Sequence, residues 1–260
     1  MTDHVSFTQL NMILKCGEQY RRRYVQREII PPGAALTRGK CGHRAIEKNF
    51  RQKVETDADL PKEEIVQTFV DEWEKEKYGI AYTEEELDGA SPSAVEGKFK
   101  DSGVILVGTY QDVHAPVVHP QAVEDKFRVN FHGNFPPLDG VFDRITKDGF
   151  VEDDKFVSKT PPADDAMSDV QLTCYDLGHR VKFGKPPSGL RKRFAVATKT
   201  PKAEVREAPP REQDQLDRFL FRLERAMDAM AKEMYLPAPG GAWYCSAKWC
   251  GFFKSCKVRP

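Results

Sequence analysis

The sequence has no net charge, because 40 lysines and arginines balance 40 aspartates and glutamates. Such a chain does not create the broad positive field that attracts nucleic acid to a whole protein surface, so any contact with nucleic acid has to be local. Basic residues do cluster at 21–23, with Arg27 nearby, and again at 191–193. We interpret the second cluster as a solvated face.

Long apolar runs are also missing, and none approaches the stretch of about 18 residues that would cross a membrane. The first residues do not read as a secretory signal either, so we expect a soluble, cytoplasmic protein. Neither an internal repeat nor a low-complexity linker divides the 260 residues, of which 40% are hydrophobic. We therefore predict one domain over 1–260, with a core at about 104–200 and helical segments at both ends.

Two predicted strands near the middle of the chain each carry a carboxylate, Asp143 and Asp153, and a tight turn at 147–149 joins them. Lys155 shares a strand face with Asp153, because side chains two residues apart point to the same side. If Asp143 lies opposite, three charged groups meet at one place, and burying them for stability alone would be too costly. A hard divalent cation would account for the acids, and an activated water for the lysine. The alternative is a solvated hairpin with ordinary surface charge.

Further polar residues surround this hairpin in the sequence. His43 follows Gly39 at a spacing of four on a predicted helix, although alone it would be an ordinary core or surface histidine. Glu124 is the central acid of a predicted strand at 123–129. Gln171 and Tyr175 are one helical turn apart and share a face, with ordinary surface packing as the alternative.

Six cysteines in a cytoplasmic chain argue against disulfides and for another use. Three of them fall close together near the end of the chain, as Cys245-x4-Cys250-x5-Cys256, and Cys16 lies near its start. Cys41 and Cys174 have no partner at a useful spacing, so we interpret both as buried small apolar residues.

In this order the motifs resemble the RecB-type branch of the PD-(D/E)xK nuclease superfamily, over residues 6–256. The likeness extends to four-cysteine nucleases in RecB-like helicase–nucleases, CRISPR-associated adaptation nucleases and phage exonucleases. It implies an α/β fold, with a restriction-endonuclease-like mixed central sheet flanked by helices and a helical cap stapled by cysteines.

The resemblance also implies roles for individual residues. The ligands of Mg²⁺ or Mn²⁺ would be His43, Asp143, Asp153 and the backbone carbonyl of Asp154. Lys155 would orient and deprotonate the attacking water, or neutralise charge in the transition state. The remaining candidates are Gln171 and Tyr175 beside the scissile nucleotide, Glu124 at a second metal, and Glu152 or the Asp154 side chain should the strand register shift by one.

For the cysteines, the resemblance implies a [4Fe–4S] cluster held by Cys16, Cys245, Cys250 and Cys256. The alternatives are structural zinc, which also accepts four thiolates, and free thiols. The chain departs from the family here, because the four-cysteine nucleases usually have a Cys-x2-Cys spacing where this sequence has x4.

Local patterns predict the remaining elements. Ser6 and Gln9 form a capping box for a first helix, and amphipathic helices follow Pro61 and the prolines at 209–210. The polar segment 84–103 is predicted to be a loop or mobile lid, with strands over 104–156, a turn at 133–134, a helix from Ser168 and a strand at 193–198.

The function that these observations predict is metal-dependent hydrolysis of DNA, by an exonuclease acting on single strands or frayed ends. Recombination or phage DNA processing, beside a single-strand annealing partner and in the host cytoplasm if phage-encoded, is the expected setting. A CRISPR-adaptation nuclease, a non-catalytic DNA-binding module and a zinc-stapled structural protein are the alternatives.

Overall fold

The centre of the protein is a six-stranded mixed sheet with helices on both sides. The computed structural model describes residues 3–133 and 135–259. Its strands are β1 (Val5–Ser6), β2 (Pro120–Val129), β3 (Leu138–Thr146), β4 (Phe150–Val157), β5 (Gly189–Val196) and β6 (Lys202–Ala208). Its α-helices are α1 (Phe7–Lys15), α2 (Gly17–Tyr20), α3 (Ala34–Thr56), α4 (Lys62–Glu76), α5 (Glu84–Leu87), α6 (Pro92–Val113), α7 (Val170–Phe183) and α8 (Gln213–Ala231).

Strand β3 organises the sheet because three strands pair with it. β2 runs antiparallel along one side of it. On the other side, β1 pairs only with its first residues, Leu138 and Asp139, and β4 pairs only at Arg144 and Ile145. β4 then continues beside β5 in parallel over its whole length, and β6 closes the sheet. The middle of β3 is therefore left unpaired on one side, where β3 and β4 diverge.

Two hydrophobic clusters fix the helices on the sheet. One joins α1, α7 and α8 to the sheet around Leu10, Phe142, Leu172 and Leu223. The other packs α3, α4 and α6 together around Phe50, Phe69, Trp73 and Leu106. Burying such large apolar side chains stabilises each layer by roughly 1.5 to 3 kcal/mol per residue before entropy is subtracted. The predicted mixed sheet flanked by helices is confirmed.

The prediction of a loop at 84–103 is wrong, because most of that segment lies in α5 and α6. Ser91 caps α6 by accepting a hydrogen bond from the Ala94 amide, and Pro92 occupies the first helical turn, where a missing N–H costs nothing. Gly103 weakens the helical pattern in the sequence. A side chain would not fit at this position, because a Cβ there would lie 1.9 Å from the Phe69 ring. The predicted strands at 104–117 are also wrong, because this segment continues α6 and ends in a short 3-10 turn. The strands of the central region begin at Pro120.

Other local predictions meet mixed outcomes. The Ser6–Gln9 capping box is confirmed, with the Ser6 amide donating to Gln9 Oε1 at 2.7 Å. The seventh helix begins at Val170 instead of Ser168, and its cap is Asp169, which accepts from the Leu172 amide at 2.8 Å. The turn predicted at 133–134 falls partly outside the described residues, because position 134 is not among them. In residues 3–133 and 135–259, we find no helix whose length and apolarity would suit a membrane crossing.

Candidate active site

The divergence of β3 and β4 creates the cleft that holds the two predicted acids. Asp143 lies on the part of β3 that has lost its partner, and the backbone amide of Asp154 on β4 donates to Asp143 Oδ2 at 3.1 Å. This bond bridges the gap between the strands. It places Asp143 beside Asp153, as the hairpin pattern predicts.

Asp153 is the most deeply buried acid of the cleft, with no exposed surface. Its Oδ1 accepts from Lys155 Nζ at 2.7 Å and from Gln171 Nε2 at 2.9 Å. Its Oδ2 is also buried but has no hydrogen-bond partner in the described part of the chain. Burial raises the pKa of the Asp153 carboxyl to about 7, with Lys155 opposing the shift and Asp143 adding to it. A buried oxygen without a donor is the kind of group that a cation would satisfy.

Lys155 is held as a cation by its neighbours. Burial alone would lower its pKa, but Asp153 and Asp143 raise it. Its ammonium group donates to Asp153 Oδ1 and to Gln171 Oε1, the latter at 3.2 Å. The side chain of Lys155 therefore presents a fixed positive charge on the same strand face as Asp153.

Helix α7 closes one side of the cleft through Gln171 and Tyr175. Gln171 Nε2 donates to the Tyr175 hydroxyl at 3.0 Å, and that hydroxyl donates to Asp143 Oδ1 at 3.0 Å. The two residues thus connect both acids and the lysine in one hydrogen-bonded network. Their contact with a nucleotide stays a prediction.

Helix α3 closes the other side with His43, whose Nδ1 lies 3.4 Å from Asp143 Oδ2. The helix comes close to β4 because Gly42 has no side chain, and a Cβ there would lie 2.9 Å from the Phe156 ring. The His43 ring meets Phe156 edge-on at 5.7 Å between centroids. The structure therefore brings His43 to the acids, and its metal-binding role stays a prediction.

Glu124 on β2 borders the same cleft, in an unusual backbone conformation. Its φ of 51° is left-handed, which is rare for a residue other than glycine and interrupts the ladder with β3. Burial raises the pKa of the Glu124 carboxyl to about 7, and Asp143 and Glu47 add to the shift. Glu47 is not among the residues predicted from the sequence, although it lies one helical turn after His43 on α3, a spacing that places both on one face.

Asp154 and Glu152 point away from the cleft, which excludes the one-residue register shift for their side chains. Both are buried against Arg144, which donates to Asp154 Oδ2 at 2.9 Å and to Glu152 Oε2 at 2.6 Å. The Tyr110 hydroxyl donates to Asp154 Oδ1 at 2.6 Å. The backbone amide of Asp154, by contrast, contacts Asp143, and the metal-binding role of the Asp154 carbonyl stays a prediction.

The interpretation of residues 191–193 as a solvated face is wrong. Arg193 and Lys192 are 5% and 6% exposed. Arg191 and Arg193 donate to Glu152, while Lys192 reaches Asp165 and Asp169 on the other face of β5. The two arginines neutralise the buried Glu152, and Lys192 pairs with two partly exposed aspartates. Charge clustering in the sequence does not show these pairings between distant segments.

The four cysteines of the predicted cluster lie in one neighbourhood where the two ends of the chain meet. Burial raises the pKa of the Cys250 thiol, and the other three thiols of the set add to it. The C-terminal segment contacts the first helices, since Arg22 donates to Ser255 Oγ at 2.8 Å and the Gly17 amide to Leu236 O at 2.6 Å. Cys41 and Cys174 are instead fully buried, and burial raises the pKa of their thiols to about 11 and about 12.

Neither group of candidate ligands is arranged as a finished metal site. Across residues 3–133 and 135–259, no three His, Cys, Asp or Glu side chains stand in the geometry that would hold a metal ion. The chemistry of the donors nonetheless fits: carboxylates and one imidazole suit Mg²⁺ or Mn²⁺, and four thiols suit an iron–sulfur cluster or zinc.

Comparison with known proteins finds similarity in both sequence and fold. A profile of the PD-(D/E)XK nuclease superfamily matches residues 4–257. A solved structure from Eubacterium rectale, named "Putative exonuclease", superposes with a TM-score of 0.58 at 12% identity, covering 94% of this chain and 87% of that chain. A second, SSO0001, gives a TM-score of 0.47 at 12% identity, covering 100% of this chain and 88% of that one. No curated protein matches the sequence. The first superposition shows a shared fold.

Proposed function

This chain belongs to the PD-(D/E)XK nuclease superfamily, and on that premise we propose that it is a divalent-metal-dependent nuclease that hydrolyses phosphodiester bonds in DNA. The observation that carries the proposal is the unsatisfied, fully buried Oδ2 of Asp153, beside Asp143 and Lys155. Leaving a buried carboxylate oxygen without a donor costs free energy, and no donor for it lies in the described residues. A ligated cation would satisfy it and remove the repulsion between the two acids.

Within the cleft, the residues that would hold Mg²⁺ or Mn²⁺ are Asp143, Asp153, His43 and the carbonyl of Asp154. When bound, such an ion stabilises charge on the phosphodiester oxygens and makes a nearby water more acidic. Glu124 borders the same acids and fits a water-mediated contact to a second ion.

Lys155 supplies the chain's own contribution to the transition state. Of the two roles open to it, neutralising charge suits its surroundings better, because Asp153 and Asp143 raise its pKa and keep it protonated. A charged ammonium cannot accept a proton from water, but it stabilises negative charge on the attacked phosphate. Gln171 and Tyr175 hold this lysine and Asp143 in place, and in the complex they would border the scissile nucleotide.

We propose single strands or frayed ends as the substrate and an exonuclease as the mode of action. Asp153 has no exposed surface, and the side chain of Asp143 is only 17% exposed, between α3 and α7. A single strand can enter such a recess more readily than a rigid duplex can. The name of the Eubacterium rectale protein agrees with an exonuclease mode of action. A setting in recombination or phage DNA processing stays a prediction from the sequence motifs.

For the cysteine set we propose a [4Fe–4S] cluster that joins the two ends of the chain, with zinc as the alternative ion. The other three thiols of the set raise the pKa of Cys250, which supports one shared site. Ligation there would close a loop of more than two hundred residues between Cys16 and Cys245, and the entropic gain grows with loop length.

End-labelled DNA tests this function and its polarity together. Purified protein is incubated with single- and double-stranded oligonucleotides labelled at either end, in Mg²⁺, in Mn²⁺ or in EDTA. We expect metal-dependent loss of single strands and release of short products from one end. The same assay is run on Asp153→Asn, which should lose cleavage. Asp217 is an exposed acid on α8, so Asp217→Asn is the matched control. Binding without cleavage by the wild-type protein in either metal would favour the non-catalytic DNA-binding module.

A further inference from the structure

Arg38 on α3 is a buried cation without an acidic partner. It is 4% exposed, and no carboxylate lies within ion-pair distance of it in residues 3–133 and 135–259. Its guanidinium donates to Ser102 Oγ at 2.9 Å and to Ser158 Oγ at 3.2 Å, and it lies over the Phe99 ring at 5.5 Å. Its Nε is buried as well, and no acceptor for it lies in the part of the chain that the structure describes. Burying a charge that is neither paired nor fully hydrogen-bonded is expensive, so the fold keeps Arg38 at a cost.

The two serines lie between the Arg38 charge and the protein surface. Each uses its oxygen to accept a bond from Arg38, which leaves its hydroxyl proton free to donate. Neither hydroxyl has a protein acceptor in the part of the chain that the structure describes. Ser158 is exposed, and Ser102 lines a cavity of about 580 Å³ between α6 and the end of β5. Donors backed by a buried cation are suited to an anion.

The rest of the cavity is compatible with an anion of moderate size. Lys98 lines it and forms no ion pair with the described residues, and Thr198 and Ser93 add hydroxyls. Asp101 also lines it and would oppose an anion. The volume exceeds what a single phosphate needs, which leaves room for part of a nucleotide.

Arg38 and Ser158 do not line the cavity themselves, but they link Ser102 on its wall to α3 and β4, the two elements that carry His43 and Lys155. Ser158 is three residues beyond Lys155 on the continuation of β4, about 10 Å along an extended chain. Arg38 precedes His43 by five residues on α3, about 7.5 Å along the helix axis. A strand whose scissile phosphate lies at Asp143 and Asp153 could therefore place another of its phosphates here.

We propose that the cavity lined by Ser102 and Lys98, with the buried Arg38 behind Ser102, is a phosphate-binding subsite for the DNA strand. This inference rests on the proposed nuclease function for the identity of the ligand. The phosphate could be a terminal monoester or an internal diester, because both present the same anionic oxygens.

Binding measurements in EDTA test the subsite without any catalysis. We would measure the affinity of a short single-stranded oligonucleotide carrying a 5′-phosphate, a 3′-phosphate or hydroxyls at both ends, for wild type and for Arg38→Gln. Losing a charge-assisted contact should weaken binding about tenfold to a hundredfold. The exposed Arg225 provides the matched control, and Arg225→Gln should bind as wild type does. A loss confined to one phosphorylated end identifies a terminal monoester, and an equal loss for all three oligonucleotides identifies an internal diester.

Thermal melts distinguish a binding role for Arg38 from a purely structural one. The Arg38→Gln protein should be as stable as wild type or more stable, because an unpaired buried charge is removed. Inorganic phosphate should raise the wild-type melting temperature above the value in chloride at equal ionic strength, and should do so less for Arg38→Gln. Wild-type affinity and an unchanged phosphate response in Arg38→Gln would overturn the proposal.

Three variants at neighbouring residues keep the test decisive if Arg38→Gln unfolds. Ser102→Ala and Lys98→Gln should each weaken binding, whereas Asp101→Asn should strengthen it by removing a repelling charge. Wild-type affinity in all three would also overturn the proposal. The phosphate effect on melting does not require cleavage, so failure of the subsite and failure of the nuclease function give different results.

Discussion

Replacing Arg144 by methionine should cost the protein a large part of its stability, because this guanidinium is the main partner of a buried acid. Arg144 is 1% exposed and donates to both carboxylate oxygens of Asp154 at 2.9 Å. If Arg144 is lost, Glu152 keeps Arg191 and Arg193. Among the described residues, Asp154 then keeps no side-chain partner except the Tyr110 hydroxyl. The substitution therefore leaves the buried charge of Asp154 without a cationic partner, whereas the charge of Glu152 stays compensated.

The expected magnitude follows from what breaking a buried ion pair costs. Removing one partner typically destabilises a protein by roughly 3 to 5 kcal/mol, because the remaining charge stays uncompensated. For a chain of this size each kcal/mol lowers the melting temperature by about 2 to 4 °C, so Arg144→Met should lower it by about 6 to 20 °C. Methionine keeps an apolar contact with the Phe50 ring, over which the guanidinium now lies at 4.1 Å.

Denaturant and thermal unfolding would measure the effect, with Arg225→Met as the exposed control. Asp154→Asn added to Arg144→Met should recover part of the loss, since it removes the stranded charge while keeping the shape of the side chain. A melting temperature for Arg144→Met within a degree or two of wild type would refute the reasoning. So would a double variant that is less stable than Arg144→Met alone.

Three further predictions concern Lys155 in the cleft, the buried Glu152 and the cysteines. Lys155→Ala should lose cleavage by orders of magnitude yet keep its fold and DNA affinity, measured by gel assay, circular dichroism and filter binding; near-normal turnover would remove Lys155 from the mechanism. Burial would raise the pKa of Glu152, but its arginine partners lower it to about 2, so its stabilising effect should be complete above its unfolded value of about 4.3 and disappear as the pH falls toward 2. Glu152→Gln should flatten the unfolding free energy over that pH range, and an unchanged slope would contradict this. Cys16→Ser should lose iron or zinc and stability as much as a change at any of the three C-terminal cysteines, whereas Cys41→Ser and Cys174→Ser should keep full metal content; full content in Cys16→Ser would break the proposed set of four.

The acidic hairpin could be predicted from the sequence because its geometry is local. Alternation along a strand places Asp153 and Lys155 on one face whatever surrounds them, and the tight turn brings Asp143 to them. Gln171 and Tyr175 depend on helical spacing, which is equally local. The fold class and the meeting of these elements at one cleft do not follow from such short-range rules, and were expected only because the motifs, in their order, resemble a known nuclease superfamily.

Partners from distant segments could not be predicted in this way. The cluster at 191–193 looks exposed in the sequence, yet its arginines bind Glu152, some forty residues earlier in the chain. Arg38 gives no local signal at all, because its two serines lie on α6 and after β4. The helix α6 was missed because its polar face and Gly103 mask the apolar positions that pack on α3 and α4.

Metal binding at the two acids of the cleft tests the central claim most directly. Mn²⁺ would be titrated into wild type, Asp153→Asn and the control Asp217→Asn, with the bound ion followed by electron paramagnetic resonance and cleavage of a labelled single strand measured in parallel. We predict that wild type and Asp217→Asn bind Mn²⁺ and cleave DNA, while a folded Asp153→Asn loses the cleft ion and cleavage together. Unchanged Mn²⁺ binding and cleavage in Asp153→Asn would contradict the account.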